Sequence, residues 1–205
     1  MEKGAANSAA VPNIEVREQF ADTAYWNPVF NTDAAGKGSV TIKLPDNLTT
    51  WTFHGVGVTA DTKVGESTVD VIATKPLLIR PVTTRFFVVG DKAELAANVS
   101  NNTDNPLTTT VTLSATGVTI LSDAQQTIGI PAHSEAAVTW LVEAQDVQSA
   151  QLVFYAESGA YNDASKPRLA TGPDGSLEVL RYTAPDIVGT STRRSLVRSS
   201  RKSRA

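Results

Sequence analysis

Short runs in which apolar and polar residues alternate restrict the fold of this chain more than any other feature. The clearest runs are Leu95-Ala97-Val99, Ala136-Val138-Trp140-Val142 and Leu177-Val179-Arg181. A period of two is typical of strands with one buried face. Turn-rich clusters such as 31–38 and 101–106 separate the runs, and no segment has a helical period of 3.6 residues. The sequence therefore predicts an all-β fold of immunoglobulin- or fibronectin-like antiparallel sandwiches.

The strand pattern divides the chain into parts. Strands are predicted at 40–44, 51–58 and 68–74, and prolines then flank a short apolar stretch at 77–79. Because proline is tolerated at sheet edges and in linkers, we place a domain boundary there. The prediction is a flexible arm at 1–13, the end of one β-domain at 14–80, a second sandwich at 81–190 and a disordered basic tail at 191–205. Residues 158–176 are predicted to be a loop.

Charge and cysteine content exclude several classes of protein. The chain contains no cysteine, which removes thiol nucleophiles, disulfides and cysteine metal sites. The formal net charge is −3, but six of the 18 basic residues lie at 193–204. The rest of the chain therefore has 12 basic and 21 acidic residues, a net charge near −9. An acidic body opposes nucleic-acid binding. No apolar run reaches the ~18 residues of a membrane span, and residues 1–10 lack the apolar centre of a signal peptide.

The basic tail allows two interpretations. Clustered arginines bind nucleic acid or anionic membranes in many proteins. The abrupt change to serine and arginine after Thr190 also fits non-native sequence, and we favour this interpretation because no strand pattern continues into the tail.

Few residues are candidates for chemistry. His54 follows Trp51 and Phe53 in a predicted strand, and His133 follows a turn; neither has carboxylates at metal-ligand spacing nearby. The segment Asn101–Asn105 comes nearest to a calcium loop but has few acidic ligands. We therefore predict no catalytic, cofactor-binding, metal or thioester residue, no cofactor and no enzyme activity.

Tryptophans and asparagines also allow more than one interpretation. Trp51 and Trp140 alternate with apolar neighbours, which favours core packing over a sugar-stacking platform. Asn47, Asn98 and Asn101 begin sequences of the N-glycosylation type, a short pattern that matters only in a eukaryotic secretory pathway.

Two phrases resemble a known family. They read Arg-Glu-Gln-Phe-Ala-Asp-Thr-Ala-Tyr-Trp at 17–26 and Leu-Pro-Asp-Asn-Leu-Thr-Thr-Trp at 44–51. Further on, Arg-Phe-Phe-Val-Val-Gly-Asp at 85–91 and Leu-Ala-Ala-Asn-Val-Ser-Asn at 95–101 are similar to the start of another domain. In order and content these phrases resemble the α2-macroglobulin family, and the Tyr-Trp-Asn-Pro wording is similar to its bacterial branch.

The resemblance implies a function. Members of this family are large peptidase traps in which a protease cuts a bait region, and many carry a Cys–Gln thioester. The bait precedes the Tyr-Trp phrase, so residues 1–13 correspond to its trailing flank. Without cysteine this chain has no thioester. The resemblance implies a structural fragment of an endopeptidase inhibitor, in which Trp26 and Trp51 pack the first domain while Pro76 and Pro81 stiffen its junction with the second.

Partners and location follow from the same resemblance. The expected partners are the remaining domains of a larger macroglobulin chain and, through that parent protein, target peptidases. The expected location is extracellular or in the bacterial periplasm or cell envelope. The alternative is a stand-alone β-sandwich module for adhesion or carbohydrate binding, which an exposed aromatic strip would favour.

Overall fold

The computed structural model describes residues 13–168, 170 and 175–182, and all of its regular elements are β-strands. The strands of the N-terminal part are β1 (Val16–Arg17), β2 (Thr50–Val58) and β3 (Val64–Ile72). The remaining strands are β4 (Leu77–Val82), β5 (Phe86–Val88), β6 (Lys92–Asn101), β7 (Leu107–Thr116), β8 (Val118–Ile120), β9 (Gln125–Ile130), β10 (Ser134–Ala144), β11 (Ser149–Ser158), β12 (Tyr161–Ser165) and β13 (Leu177–Leu180).

Strands β4 to β13 form a β-sandwich. One sheet has four strands in the order β4-β6-β10-β8. The other follows the path β1-β12-β11-β13-β5, with β7 and β9 continuing from the far side of β11. Within the sandwich every pairing is antiparallel except that of β13 with β5. The predicted fold class is confirmed.

The core lies between the two sheets and follows the alternation in the sequence. In β10, Val138, Trp140 and Val142 are buried, whereas the residues between them face outward. Trp140 packs edge-on against Phe154 of the opposite sheet, with ring centroids 5.6 Å apart. Its Nε1 donates to the carbonyl of Ala124 over 3.2 Å, so the largest core side chain leaves no unpaired donor.

The N-terminal part, residues 13–73, is built differently. Strands β2 and β3 form an isolated antiparallel hairpin in which Trp51 is the only buried residue. The predicted strand at 40–44 is absent, and these residues belong to no regular element. Alternation makes a strand possible, but a strand forms only where its backbone groups pair with a neighbouring strand, and residues 40–44 pair with none of the described strands.

Two other expectations require comment. The predicted loop at 158–176 contains β12, which pairs with β11 on one side and β1 on the other. Strand β4 begins at Leu77 and forms an edge of the four-stranded sheet, so residues 77–80 pair with the sandwich. The division into domains itself stays a prediction. The arm up to residue 12 and the tail at 191–205 lie outside the described residues.

One glycine allows a test of packing. Gly117 has φ 79°, and a Cβ there would lie 2.6 Å from the carbonyl oxygen of Ser149. Because left-handed strain adds to a backbone clash, Gly117→Ala is expected to lower the free energy of unfolding by about 3 kcal/mol. Gly90 has φ 83° with open space around it, so Gly90→Ala should cost only about 1 kcal/mol. Urea denaturation measures both, and equal losses would contradict the clash.

Candidate functional site

A buried ionic cluster joins the N-terminal part to the sandwich. Its centre is Asp163 of β12, whose side chain is fully buried. The guanidinium of Arg17 donates two hydrogen bonds to this carboxylate: Nε lies 3.0 Å from Oδ1 and Nη2 lies 2.7 Å from Oδ2. Lys75 Nζ donates to Oδ1 over 2.8 Å, and the backbone N–H of Ile79 donates to Oδ2 over 3.0 Å. We call this cluster of Arg17, Lys75, Ile79 and Asp163 the latch.

Strand β1 places Arg17 in the latch. Val16 and Arg17 pair in parallel with Ala164 and Ser165, and the N–H of Lys166 donates to the Arg17 carbonyl over 3.0 Å. This pairing covers the outer edge of β12. Arg17 Nη2 also donates to the Ile79 carbonyl over 2.7 Å. One guanidinium therefore contacts both sheets of the sandwich, a geometry suited to its planar set of donors.

The segment after Arg17 is held by the residues that precede the hairpin. The Asp46 carboxylate accepts from the N–H groups of Glu18 and Gln19 over 3.0 and 2.9 Å. The side chain of Asn47, a buried residue, accepts from the N–H of Ala21 over 3.0 Å. We call residues 13–22 the strap. The strap and the base of the hairpin are thus bound to each other as well as to the latch.

Ion pairs surround the latch at the surface. Lys166 Nζ lies 2.6 Å from Glu18, and Arg168 Nη2 lies 3.2 Å from Asp22. The second pair is exposed and contributes little, because water screens such pairs. Between the strap and the sandwich a cavity of about 190 Å³ remains, lined in part by Phe20, Leu48 and Leu78. Apolar packing across the seam is therefore incomplete.

The hairpin has two different faces. By the observed register, Trp51, Phe53, Val69 and Val71 share one face, which we call the apolar face. The exposed fractions of the last three are 36%, 58% and 44%. The other face carries polar pairs near its middle, such as Thr52 with Asp70 over 2.7 Å.

Nothing among the described strands pairs with either edge of the hairpin. At its tip, hydrogen bonds from Lys63 and Thr59 lower the pKa of Asp61 and hold the turn. In the sandwich, burial raises the pKa of the Tyr155 hydroxyl.

The two histidines lie in different parts of the chain and have different partners. His54 lies on the face of the hairpin opposite Trp51 with Nε2 3.4 Å from Glu66, and His133 lies at a turn with Nε2 2.9 Å from Asp104. Both side chains are more than half exposed. Among the residues that the structure describes, no group of three or more histidine and acidic residues could hold a metal ion.

The candidate calcium segment has a structural role. Asn101 is fully buried, and its Nδ2 donates to the carbonyls of Asn105, Ile130 and Pro131. Its Oδ1 accepts from the N–H and hydroxyl of Thr103. Every hydrogen-bonding position of this amide is in use, so it has none left for an ion or a glycan. Asn47 is likewise buried and bonded.

The tryptophans divide between core and surface. Trp140 is fully buried and Trp51 is 9% exposed, whereas Trp26 is 81% exposed. The expectation that Trp26 packs the first domain is therefore wrong within this chain. Its neighbours up to residue 46 form no sheet against which an indole could pack.

No pattern in the sequence predicts the latch. Arg17 belongs to the phrase that resembles the family, and Asp163 lies in the segment that the sequence predicts to be a loop. A run long enough for a strand lies between Gly159 and Pro167, and this signal could have located β12.

Comparison with known proteins shows which family this chain is similar to. Residues 23–113 match the family described as the alpha-2-macroglobulin family. This match confirms the resemblance to that family predicted from the sequence. An alpha-2-macroglobulin homolog of Nostoc sp. is 36% identical over 102 residues, which is 50% of this chain and 5% of that protein. The Thermotoga maritima alpha-2-macroglobulin is 27% identical over 164 residues, 78% of this chain and 10% of that protein.

Solved alpha-2-macroglobulins share the fold. Escherichia coli alpha-2-macroglobulin activated by porcine elastase superimposes with a TM-score of 0.57 and 21% identity, covering 74% of this chain and 15% of that one. The Salmonella protein reacted with methylamine gives a TM-score of 0.55 at 20% identity, covering 73% and 10%. The chain thus spans a small part of each macroglobulin it matches. Among the described residues no helix has the length and apolar content to cross a membrane.

Proposed function

We propose that this chain is a structural segment of an alpha-2-macroglobulin-like endopeptidase inhibitor, without inhibitory activity by itself. The observation that carries the proposal is the unpartnered hairpin, which a buried latch holds to a complete sandwich. A two-stranded hairpin is marginally stable in water unless further strands or a packing surface support it. A segment of a larger protein would receive that support from adjoining domains.

One face of the hairpin has apolar side chains, as the buried face of a sheet does. Val69 and Val71 expose apolar surface beside Phe53, and contiguous apolar surface of this kind marks interaction sites. Trp51 Nε1 is buried without an acceptor among the described residues. Buried donors are nearly always paired, and an adjoining domain could supply the acceptor. Residues 14–80 are accordingly proposed to complete one macroglobulin domain, and 81–190 to form the next.

The partners in this proposal are the other domains of the parent macroglobulin. Target peptidases would be engaged through the parent, since a trap needs a bait and an enclosing body. This chain contains no cysteine and hence no thioester. By the family relationship, the parent is proposed to lie outside the cell or in the cell envelope. The role of this segment is to transmit or resist movement between neighbouring domains through the latch.

Protease protection tests the proposal. Trypsin is mixed with an equimolar or tenfold excess of this chain, and hydrolysis of a large protein substrate is followed. Undiminished hydrolysis is expected, because no enclosing body is present to shield the protease. The control is a full-length bacterial macroglobulin, which should protect the trypsin. Stoichiometric inhibition by this chain alone would contradict the proposal.

A carbohydrate-binding or adhesion module is the second candidate. Tyr25, Trp26 and Phe53 are exposed to 42%, 81% and 36% and would be its contact residues. Two of the three tryptophans are buried, which opposes a continuous aromatic strip. Saturable glycan binding that is lost in Trp26→Ala would favour this candidate over the scaffold.

A further inference from the structure

The strap is attached to the sandwich mainly by polar contacts. Within residues 13–49, all of which are described, the buried residues are Arg17 and Asn47 alone. The sandwich, in contrast, has its own core, in which residues such as Leu95, Trp140 and Phe154 are fully buried. Parts of a protein with few buried apolar contacts open at lower free energy than the core. The strap is therefore able to detach while the sandwich stays folded.

The latch is built so that Asp163 stays neutralised after such a detachment. Lys75 Nζ lies 2.8 Å from Oδ1 and the Ile79 N–H lies 3.0 Å from Oδ2, and neither donor belongs to the strap. Lys75 is 33% exposed and belongs to the segment leading into β4, outside the strap. A buried carboxylate without any partner would be strongly unfavourable, and these two donors prevent that state.

Detachment would also open the edge of β12. In the closed form β1 covers this edge with a parallel pairing of two residues, Val16 with Ala164 and Arg17 with Ser165. An uncovered edge strand presents unpaired N–H and C=O groups that accept another extended chain. Beside this edge lies the Asp163 carboxylate, which selects for a guanidinium.

We infer that the edge of β12, together with Asp163, is a binding site for an extended, arginine-bearing peptide strand, and that Val16–Arg17 occupies it as a detachable ligand in cis. Main-chain pairing to Ala164 and Ser165 supplies the affinity, and the two-donor contact with Asp163 supplies the specificity. Lysine fits less well, because a single ammonium cannot reach both Asp163 oxygens and the Ile79 carbonyl in this planar arrangement. This site does not depend on the proposed function.

The test supplies the strap in trans. A fluorescent peptide with the sequence of residues 13–22 is titrated into the full chain carrying Arg17→Ala, and anisotropy reports binding. Saturable binding is expected, at least tenfold tighter than that of the same peptide with its arginine replaced by alanine. The wild-type chain should bind the peptide at least tenfold more weakly than Arg17→Ala does, because its own strap competes.

A matched control and a second variant complete the design. Arg181 forms an exposed ion pair with Asp146 away from the latch, so Arg181→Ala should behave like the wild type. Arg17→Lys keeps the positive charge and is expected to give intermediate peptide affinity, which covers the case in which Arg17→Ala does not fold. Equal binding of the two peptides, or no binding to either variant, would overturn the inference. Size-exclusion chromatography separates binding in trans from a dimer that exchanges straps.

Discussion

Asp163→Asn is expected to produce the largest local loss of stability in this chain. The substitution removes the carboxylate that pairs with both Arg17 and Lys75. The Arg17 side chain is only 10% exposed, so water cannot replace this partner. Breaking one side of a buried ion pair costs about 3 kcal/mol or more, because the remaining charge has lost its water and its partner. The strap should detach in response. Amide hydrogen exchange is expected to lose protection at residues 16–21 while the protection of β6 and β10 remains.

The control for this substitution is an exposed ion pair. Asp146 lies 2.6 Å from Arg181 with both side chains more than half exposed. Asp146→Asn should therefore change the free energy of unfolding by less than about 1 kcal/mol. If the two substitutions had the same effect on exchange at the strap, the latch would not be what holds the N-terminal part to the sandwich.

Trp140→Ala is expected to cause the largest loss of global stability. The indole is fully buried between the sheets, contacts Phe154 and donates to the Ala124 carbonyl. Removing it leaves a large cavity, although the Ala124 carbonyl still accepts from the Leu113 N–H, so the free energy of unfolding should fall by about 3–5 kcal/mol. Urea denaturation followed by far-UV circular dichroism measures this loss in the sandwich.

Trp26 provides the matched control for Trp140. Its side chain is 81% exposed, and its replacement by alanine is expected to change the free energy of unfolding by about 0.5 kcal/mol or less. A comparable loss in both variants would mean that Trp26 contributes to a core that the structure does not contain.

Alternation predicted the sandwich because its strands lie at the core. In β6 and β10, every second side chain reaches the same buried layer, so the periodicity in the sequence reports burial directly. The same rule was wrong at 40–44, where Val40 is 48% exposed and no strand forms. A pattern of two describes which side chains could share a face, but pairing depends on whether an adjacent strand is present.

At β12 the error was the opposite one, because a strand forms where the sequence predicted a loop. Residues 161–165 are mostly polar, and Asp163 is an unusual residue at a buried strand position. It is stable there because four donors from distant parts of the chain converge on it. Local propensity contains no information about such donors, so residue-by-residue reasoning assigned a loop.

The sequence by itself determined the fold class, the family and the core position of Trp140, because periodicity, turn residues and characteristic phrases are local properties of the chain. The tertiary structure alone decided where the latch lies. Arg17 and Asp163 are separated by 146 residues, and the sandwich brings them within 2.7 Å. It also decided that Trp26 is exposed and that the hairpin has no described partner strand. Both results depend on which distant parts of the chain meet in space, and the local order of residues does not contain that information.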